Sequence, residues 1–345
     1  MAGLKRAGWG LLALALFILA LALMKEGARG IEPLLEGFFR VTNPADSLGF
    51  GWLMAALILS GSPVAAVAVA LLSADALQPA QAFTMITGSR MGASLVVLLL
   101  GFVYSLRRRK RWPALTAGVL SLLISASAQA LALPMGLWML NWGWFGRLRF
   151  PGLEGASGGL NRWIDPLIQP VATALPDWML FIAGVGLVSL SFHLFDRALP
   201  HVRLQRTEFG QVPRLIYRPW MMFLIGLAVT ALTMSVSISV GILVPLSARG
   251  YVRRENIIPY ILGANISTLV DTLLAALLLG DPRGVWVVTA QMAAMMIVSL
   301  PVILFAYWPY ERFISRALAW VTRDRRHFAV FLVVTFAIPV VLILC

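Results

Sequence analysis

Two charged residues stand where charge is most expensive. Arg90 lies inside "LQPAQAFTMITGSRMGASLVVLLLG", with no other charge between Asp75 and Arg107. Asp271 lies inside "ILGANISTLVDTLLAAL". An ionised side chain deep in a bilayer costs ~2.5–3.5 kcal/mol on insertion scales, so it marks a functional candidate by default. Each is surrounded by small polar residues: Gly88, Ser89, Gly92 and Ser94 around Arg90, and Gly263, Asn265, Ser267 and Thr268 before Asp271. A guanidinium clamps an oxyanion through parallel N–H bonds. Hydroxyls and the N–H groups at half-helix ends also suit an anion, whereas freed carbonyls suit a small cation.

The frame that must position these residues is apolar. The 345-residue chain is 60% hydrophobic and 12% charged, with a mean hydropathy of +0.85; soluble domains run at about a quarter charged. Several apolar runs reach the length of about 20 residues that crosses hydrocarbon. Alternating strand-length segments are absent, which excludes a membrane β-barrel. The expected class is an all-α polytopic membrane protein. The net charge of +13 sits in short loops between apolar runs. That placement is an orientation signal and not a nucleic-acid surface.

Apolar spans fall at 8–24, 47–72, 81–105, 113–137, 177–196, 219–247, 257–280, 285–308 and 328–345. The first follows Lys5 and Arg6, lacks a small-x-small cleavage pattern before Lys25, and reads as a retained helix. Two spans carry mid-span breakers, "SGSP" at 60–63 and "SVSIS" at 235–239. If both are re-entrant hairpins and the N-terminus is cytoplasmic, twenty of the 28 basic residues lie inside and seven outside, with Arg90 left over. If both cross fully, the cluster Arg107–Arg111 falls outside. The positive-inside rule therefore favours hairpins, one from each side, in an inner membrane.

Sliding the sequence by 175 residues superposes Ser60 on Ser235, Ser62 on Ser237 and Gly88 on Gly263. Gly51, Ala56, Leu57, Leu71 and Ile86 meet identical residues too. The expected fold is thus two inverted-topology repeats, each with a re-entrant helical hairpin and an interrupted transmembrane helix. The chain reads as one membrane domain. Its first repeat core spans 45–137 and the second 177–308, joined by an outer connector over 138–176 and followed by a C-terminal helix region, 309–345. Inverted repeats with broken helices place substrate near the midplane. Small residues that merely let helices pack closely are the competing reading.

"TALTMSVSIS" (230–239) followed by "ILGANISTLVDTLLAAL" (261–277) resembles the second repeat of the type II sodium–phosphate cotransporter family. "AALILSGSPV" (55–64) and "GSRMGAS" (88–94) are similar to its first repeat. The resemblance covers about residues 45–105 and 219–280. It implies that Ser60, Ser62, Ser235 and Ser237 line a phosphate site by alternating access. It also implies that Asn265 and Thr268 contribute polar groups to phosphate or sodium. Ser94, Ser239 and Ser267 belong to the same patches. The chain departs at Leu59 and Met234, where the family has glutamine, and at Gly61 and Val236, where it has serine. Arg90 stands in place of asparagine, Ser267 in place of glycine and Leu269 in place of threonine.

Arg90 and Asp271 each lie about nine residues, roughly 14 Å, from the outer ends of their helices. Repeat-related helices at one depth should bring the two together. Three roles remain open for Arg90: it binds an anionic substrate; its guanidinium replaces a sodium ion, with Asp271 carrying a coupling proton; or the two form a fixed ion pair. A phosphate-lipid binder without transport is the rival from another class.

The other residues carry less. His193, His201 and His327 fall at helix ends or loops, and the Trp-rich stretches 137–150 and 307–313 read as interfacial belts. "PGLEGASGGLNRW" (151–163) matches no complete phosphate-binding loop. The single cysteine is Cys345, so neither disulfide nor metal motif is expected. No Ser-His-Asp arrangement suggests an enzyme. The residues imply no cofactor beyond a sodium ion; the partners expected are a small anion and the lipid bilayer, and a homodimer is compatible with both.

Overall fold

A computed structural model describes residues 2–37, 41–107, 111–143, 164, 166–198, 218–241, 243, 252 and 254–344. The loop cluster at 108–110, the glycine-rich stretch 151–163, His201 and the Ser237 side chain lie outside the described residues.

Every regular element among the described residues is a helix. They are α1 (Ala2–Gly37), α2 (Pro44–Ile58), α3 (Ser62–Ser73), α4 (Pro79–Arg107), α5 (Arg111–Asn141), α6 (Asp177–Ala198), α7 (Pro219–Thr233), α8 (Val236–Gly241), α9 (Arg254–Ser267), α10 (Val270–Leu279), α11 (Pro282–Leu304), α12 (Tyr307–Val321) and α13 (Arg325–Leu344). Among the described residues, seven spans are long and apolar enough to cross a membrane: α1, α4, α5, α6, α9 with α10, α11 and α13. This is the architecture of a polytopic membrane protein.

The ends of these helices are written locally. Asn43 caps α2: its side chain accepts the Ala45 and Asp46 N–H, and Asp46 accepts the Asn43 N–H in return. Asp281 caps α11 ahead of Pro282, and Gly280, at φ 70°, closes α10. Arg283 donates to Asp75 at 2.6 Å and to Asp281, tying the end of α3 to the start of α11.

Two breaks interrupt the apolar sequence at matching places. α2 ends at Leu59, φ 57°, and α7 at Met234, φ 50°. Both are non-glycine residues in the left-handed region, which costs of order 1–3 kcal/mol and persists only where the surroundings enforce it. At 15 residues each, α2 and α7 are too short to span the bilayer alone.

The packing of these arms also matches. A Cβ on Gly88 would collide with the Leu48 carbonyl and lie 2.9 Å from the Trp52 nitrogen. A Cβ on Gly263 would collide with the Phe223 carbonyl and lie 2.9 Å from the Leu227 nitrogen. Gly51 meets Met85 as Gly226 meets Tyr260. All these pairs obey the 175-residue offset. Glycine is required here because two backbones touch. α3 packs against both α4 and α10, and α8 packs against α4, where Gly241 meets Leu100.

One expectation is corrected. α4 runs unbroken through Gly88–Ser94, so the first patch does not interrupt its helix. Gly88 and Gly92 admit the α2 backbone instead of opening the helix. Ser89 and Ser94 donate to the Ile86 and Met91 carbonyls of their own helix. The second patch does interrupt: Thr268 and Leu269 separate α9 from α10, and the Leu269 N–H reaches only to Ile266. Beyond the break, the Asp271 carboxylate accepts both the N–H and the hydroxyl of Thr272, giving the backbone a local alternative to helix bonds. The first helix also differs in length, extending to Gly37 and packing through Gly27, Gly30 and Gly184 against α6.

Candidate functional site

The buried apolar residues form two main clusters, and α4 passes through both. Phe83, Met85 and Ile86 belong to one; Leu95, Val97 and Leu98 belong to the other. α11 divides likewise, with Val285 to Ala290 on one side and Ala294 and Met295 on the other. So does the α9–α10 span, between Ile266 and Leu269. Where these helices pass from one core to the other, their side chains turn polar: Thr87 and Arg90 on α4, Thr268 at the α9–α10 break, and Gln291 on α11. Hydrocarbon above and below leaves such groups no partner except one another.

Arg90 is the hub of this layer. Only 4% of it is exposed. Its Nη1 donates to the Thr268 hydroxyl at 3.0 Å, and its Nη2 to the Thr272 hydroxyl at 2.6 Å and to Asp271 Oδ1 at 3.4 Å. Asp271, Thr268 and Thr272 are each 1% exposed. The pair is therefore not a bidentate salt bridge. One guanidinium edge rests on two hydroxyls and one carboxylate oxygen, while Arg90 Nε and Asp271 Oδ2 have no hydrogen-bond partner. An unmade charge-assisted bond in a buried site is costly, and such an atom is a place where a ligand or water gains most.

A second network adjoins the first through the same helices. Thr87, one turn from Arg90, donates to Gln291 Oε1 at 3.0 Å, and Gln291 Nε2 donates to Gln129 Oε1 at 2.8 Å. On α5, Ser125 donates to Asn265 Oδ1 at 3.1 Å. Asn265 lies one turn before Thr268. Gln129 Nε2, Asn265 Nδ2 and the Ser121 hydroxyl are buried without partners. The layer thus offers three unmade N–H donors, on Arg90, Asn265 and Gln129.

The expected site residues divide into groups. Arg90, Thr268 and Asp271 come together, and Asn265 joins the adjoining network. Gly61, between Ser60 and Ser62, is packed against α4: a Cβ there would lie 2.7 Å from the Ser89 carbonyl oxygen and 2.9 Å from Ala93. Ser60 is half-buried and Ser62 buried. Ser235 accepts the Ile238 N–H at 3.3 Å, capping α8. Ser239 bonds Thr230 and the Tyr260 hydroxyl, locking the second break to α9. Ser94 and Ser267 donate to carbonyls of their own helices. Thr87, Ser125, Gln129, Thr272 and Gln291 are additions that sequence reading missed. Ser121, Ser125 and Gln129, spaced by four inside one apolar span, were the available signal.

Among the described residues, no three His, Cys, Asp or Glu side chains gather as a metal site. No family model, curated protein or solved structure matches the chain.

Proposed function

We propose that the protein is a secondary transporter of a small anion, with inorganic phosphate the first candidate, working by alternating access around the Arg90 layer. The observation that carries this is the unmade donor set. Arg90 Nε and Asn265 Nδ2 are buried N–H groups with no partner, beside a guanidinium already anchored on its other edge. An oxyanion supplies the acceptors that such donors lack. A neutral apolar solute does not.

The matching breaks at Leu59 and Met234 support the mechanism. We read α2–α3 and α7–α8 as re-entrant hairpins of two inverted repeats, entering from opposite faces. The shared glycine contacts and the packing of α3 on α10 and α8 on α4 favour that reading. The resemblance to the type II sodium–phosphate cotransporter family points the same way. An inner-membrane location with a cytoplasmic N-terminus follows from the loop charges.

The test is uptake of labelled phosphate into proteoliposomes under a sodium gradient, a proton gradient or neither. Uptake above empty vesicles is expected, and Arg90→Gln abolishes it. Equal signals in empty and protein-bearing vesicles under both gradients sink phosphate transport and leave the phosphate-lipid binder.

One observation favours a sodium-independent version. Arg90 is surrounded by two hydroxyls and a carboxylate oxygen, ligands that would otherwise hold a small cation. In that version a proton gradient drives uptake, with Asp271 the group that exchanges the proton, and a sodium gradient adds nothing.

A further inference from the structure

The segment between the last two spans differs from both. α11 ends at Leu304 and α13 begins at Arg325, and each is apolar enough to cross a membrane. α12, which joins them, is thereby held at the bilayer boundary. Its 15 residues make a rod of about 22 Å. On a 3.6-residue period its side chains fall into three sectors. Tyr307, Ile314, Leu318 and Val321 are buried against the protein. Phe313 and Trp320 are exposed together on one flank. Arg312 and Arg316, one turn apart, are exposed on the other, with Trp308 beside them.

The segment from α12 into α13 carries an excess of positive charge. Arg312, Arg316, Arg323, Arg325 and Arg326 are all exposed, and among the described residues none makes an ion pair. Glu311 instead accepts from Ser315 at 2.9 Å. A helix with one flank apolar and aromatic and the next cationic, fixed at a membrane boundary, fits a surface whose phosphates lie above acyl chains.

We propose that α12 is a docking face for anionic phospholipid. Arg312 and Arg316 hold the headgroup phosphate, and Phe313 and Trp320 sit among the acyl chains. Two tyrosines carry this contact inward. The Tyr307 hydroxyl donates to the Glu255 carbonyl at the start of α9, and Tyr310 pairs with Ser127 of α5 at 2.8 Å. Burial pushes the Tyr310 hydroxyl up to about 12, so it stays protonated at working pH. α9 carries Asn265 and α5 carries Ser125 and Gln129, so bound lipid stiffens the two helices that frame the polar layer. This holds whatever the layer transports.

The test uses the full chain in nanodiscs of phosphatidylcholine alone or mixed with phosphatidylglycerol. Native mass spectrometry reads the lipid retained, and thermal unfolding reads stability. Phosphatidylglycerol should be retained over phosphatidylcholine and raise the unfolding midpoint. Arg312→Gln with Arg316→Gln should cut that retention about tenfold while leaving the midpoint in phosphatidylcholine unchanged. Arg312→Lys with Arg316→Lys should retain most of it, because charge survives. Any shift that inorganic phosphate causes at the polar layer should be the same in the native protein and in the Gln variant. Equal retention of both lipids, full retention by the Gln variant, or an inorganic-phosphate shift that the Gln variant abolishes each overturns the proposal. If the Gln variant unfolds in phosphatidylcholine, the Lys variant decides: loss of phosphatidylglycerol selectivity there overturns it.

Discussion

Gly88 and Gly263 make the same contact in two places 175 residues apart, pressing their Cα faces onto the backbones of α2 and α7. Neither has room for a methyl group, since the atoms in the way are main-chain and cannot rotate aside. Gly88→Ala and Gly263→Ala should each destabilise the protein by about 1–3 kcal/mol, the cost of overpacking. Gly186→Ala, with nothing within 4 Å, should match the parent or exceed it. Thermal unfolding in detergent ranks the three; parity between Gly88→Ala and Gly186→Ala refutes the close contact.

Removing one charge from the Arg90 layer leaves the other buried and uncompensated. Arg90→Met or Asp271→Leu alone should cost about 3–5 kcal/mol, and the double variant should recover much of that loss. A double-mutant cycle in chemical denaturant measures the coupling. Additive losses would mean that the two charges do not sense each other.

The Thr87–Gln291–Gln129 chain makes a different forecast. Gln291→Leu strands the Gln129 Oε1 acceptor and leaves the Thr87 hydroxyl only the Phe83 carbonyl, at about 1–3 kcal/mol. Adding Gln129→Leu should cost less than it does in the parent, because its partner is already gone. Unfolding midpoints of the two single variants and the double check this.

Asp324 supplies a pH dependence outside the membrane spans. Its carboxylate accepts the His327 and Arg326 N–H groups and faces the His327 ring. The His327 backbone bond, followed by its side-chain bond, holds Asp324 below the ordinary carboxylate value. A depressed folded value means that this cap is fully present above about pH 4, the ordinary carboxylate range, and is lost as pH falls through the lower folded value. Amide exchange in the first turn of α13 should therefore accelerate only in that acid window. Asp324→Asn should flatten the profile; an unchanged profile contradicts the assignment.

Much of this was legible because spacing alone carried it. Ser60 with Ser235 and Gly88 with Gly263 fix an offset that extends down to individual carbonyl contacts. Depth along a helix put Arg90 and Asp271 level with each other, and 3.4 Å separates them. The continuity of α4 was not legible. A glycine-rich patch reads alike whether it opens a helix or admits a neighbour, and only the position of α2 decides. The glutamine chain was hidden for a related reason. Three helices must adopt particular rotations before Thr87, Gln291 and Gln129 align, and no local pattern encodes those rotations. Thr272 was hidden behind Asp271, whose charge drew the reading to itself.

The unequal treatment of the two patches has a mechanical meaning. α4 is a strut of 29 residues whose hydrogen-bond ladder is intact past Arg90. Its counterpart is jointed at Thr268–Leu269, where the Leu269 N–H leaves the regular ladder for the Ile266 carbonyl. Bending is cheapest where backbone bonds need not be broken first. A push on either half of the jointed span is absorbed as an angle at Thr268, whereas a push on the strut arrives undiminished at its far end. Arg90 rides on the strut and grips the joint through Thr268, Asp271 and Thr272. Whatever loosens that grip frees the elbow, and whatever tightens it sets the angle.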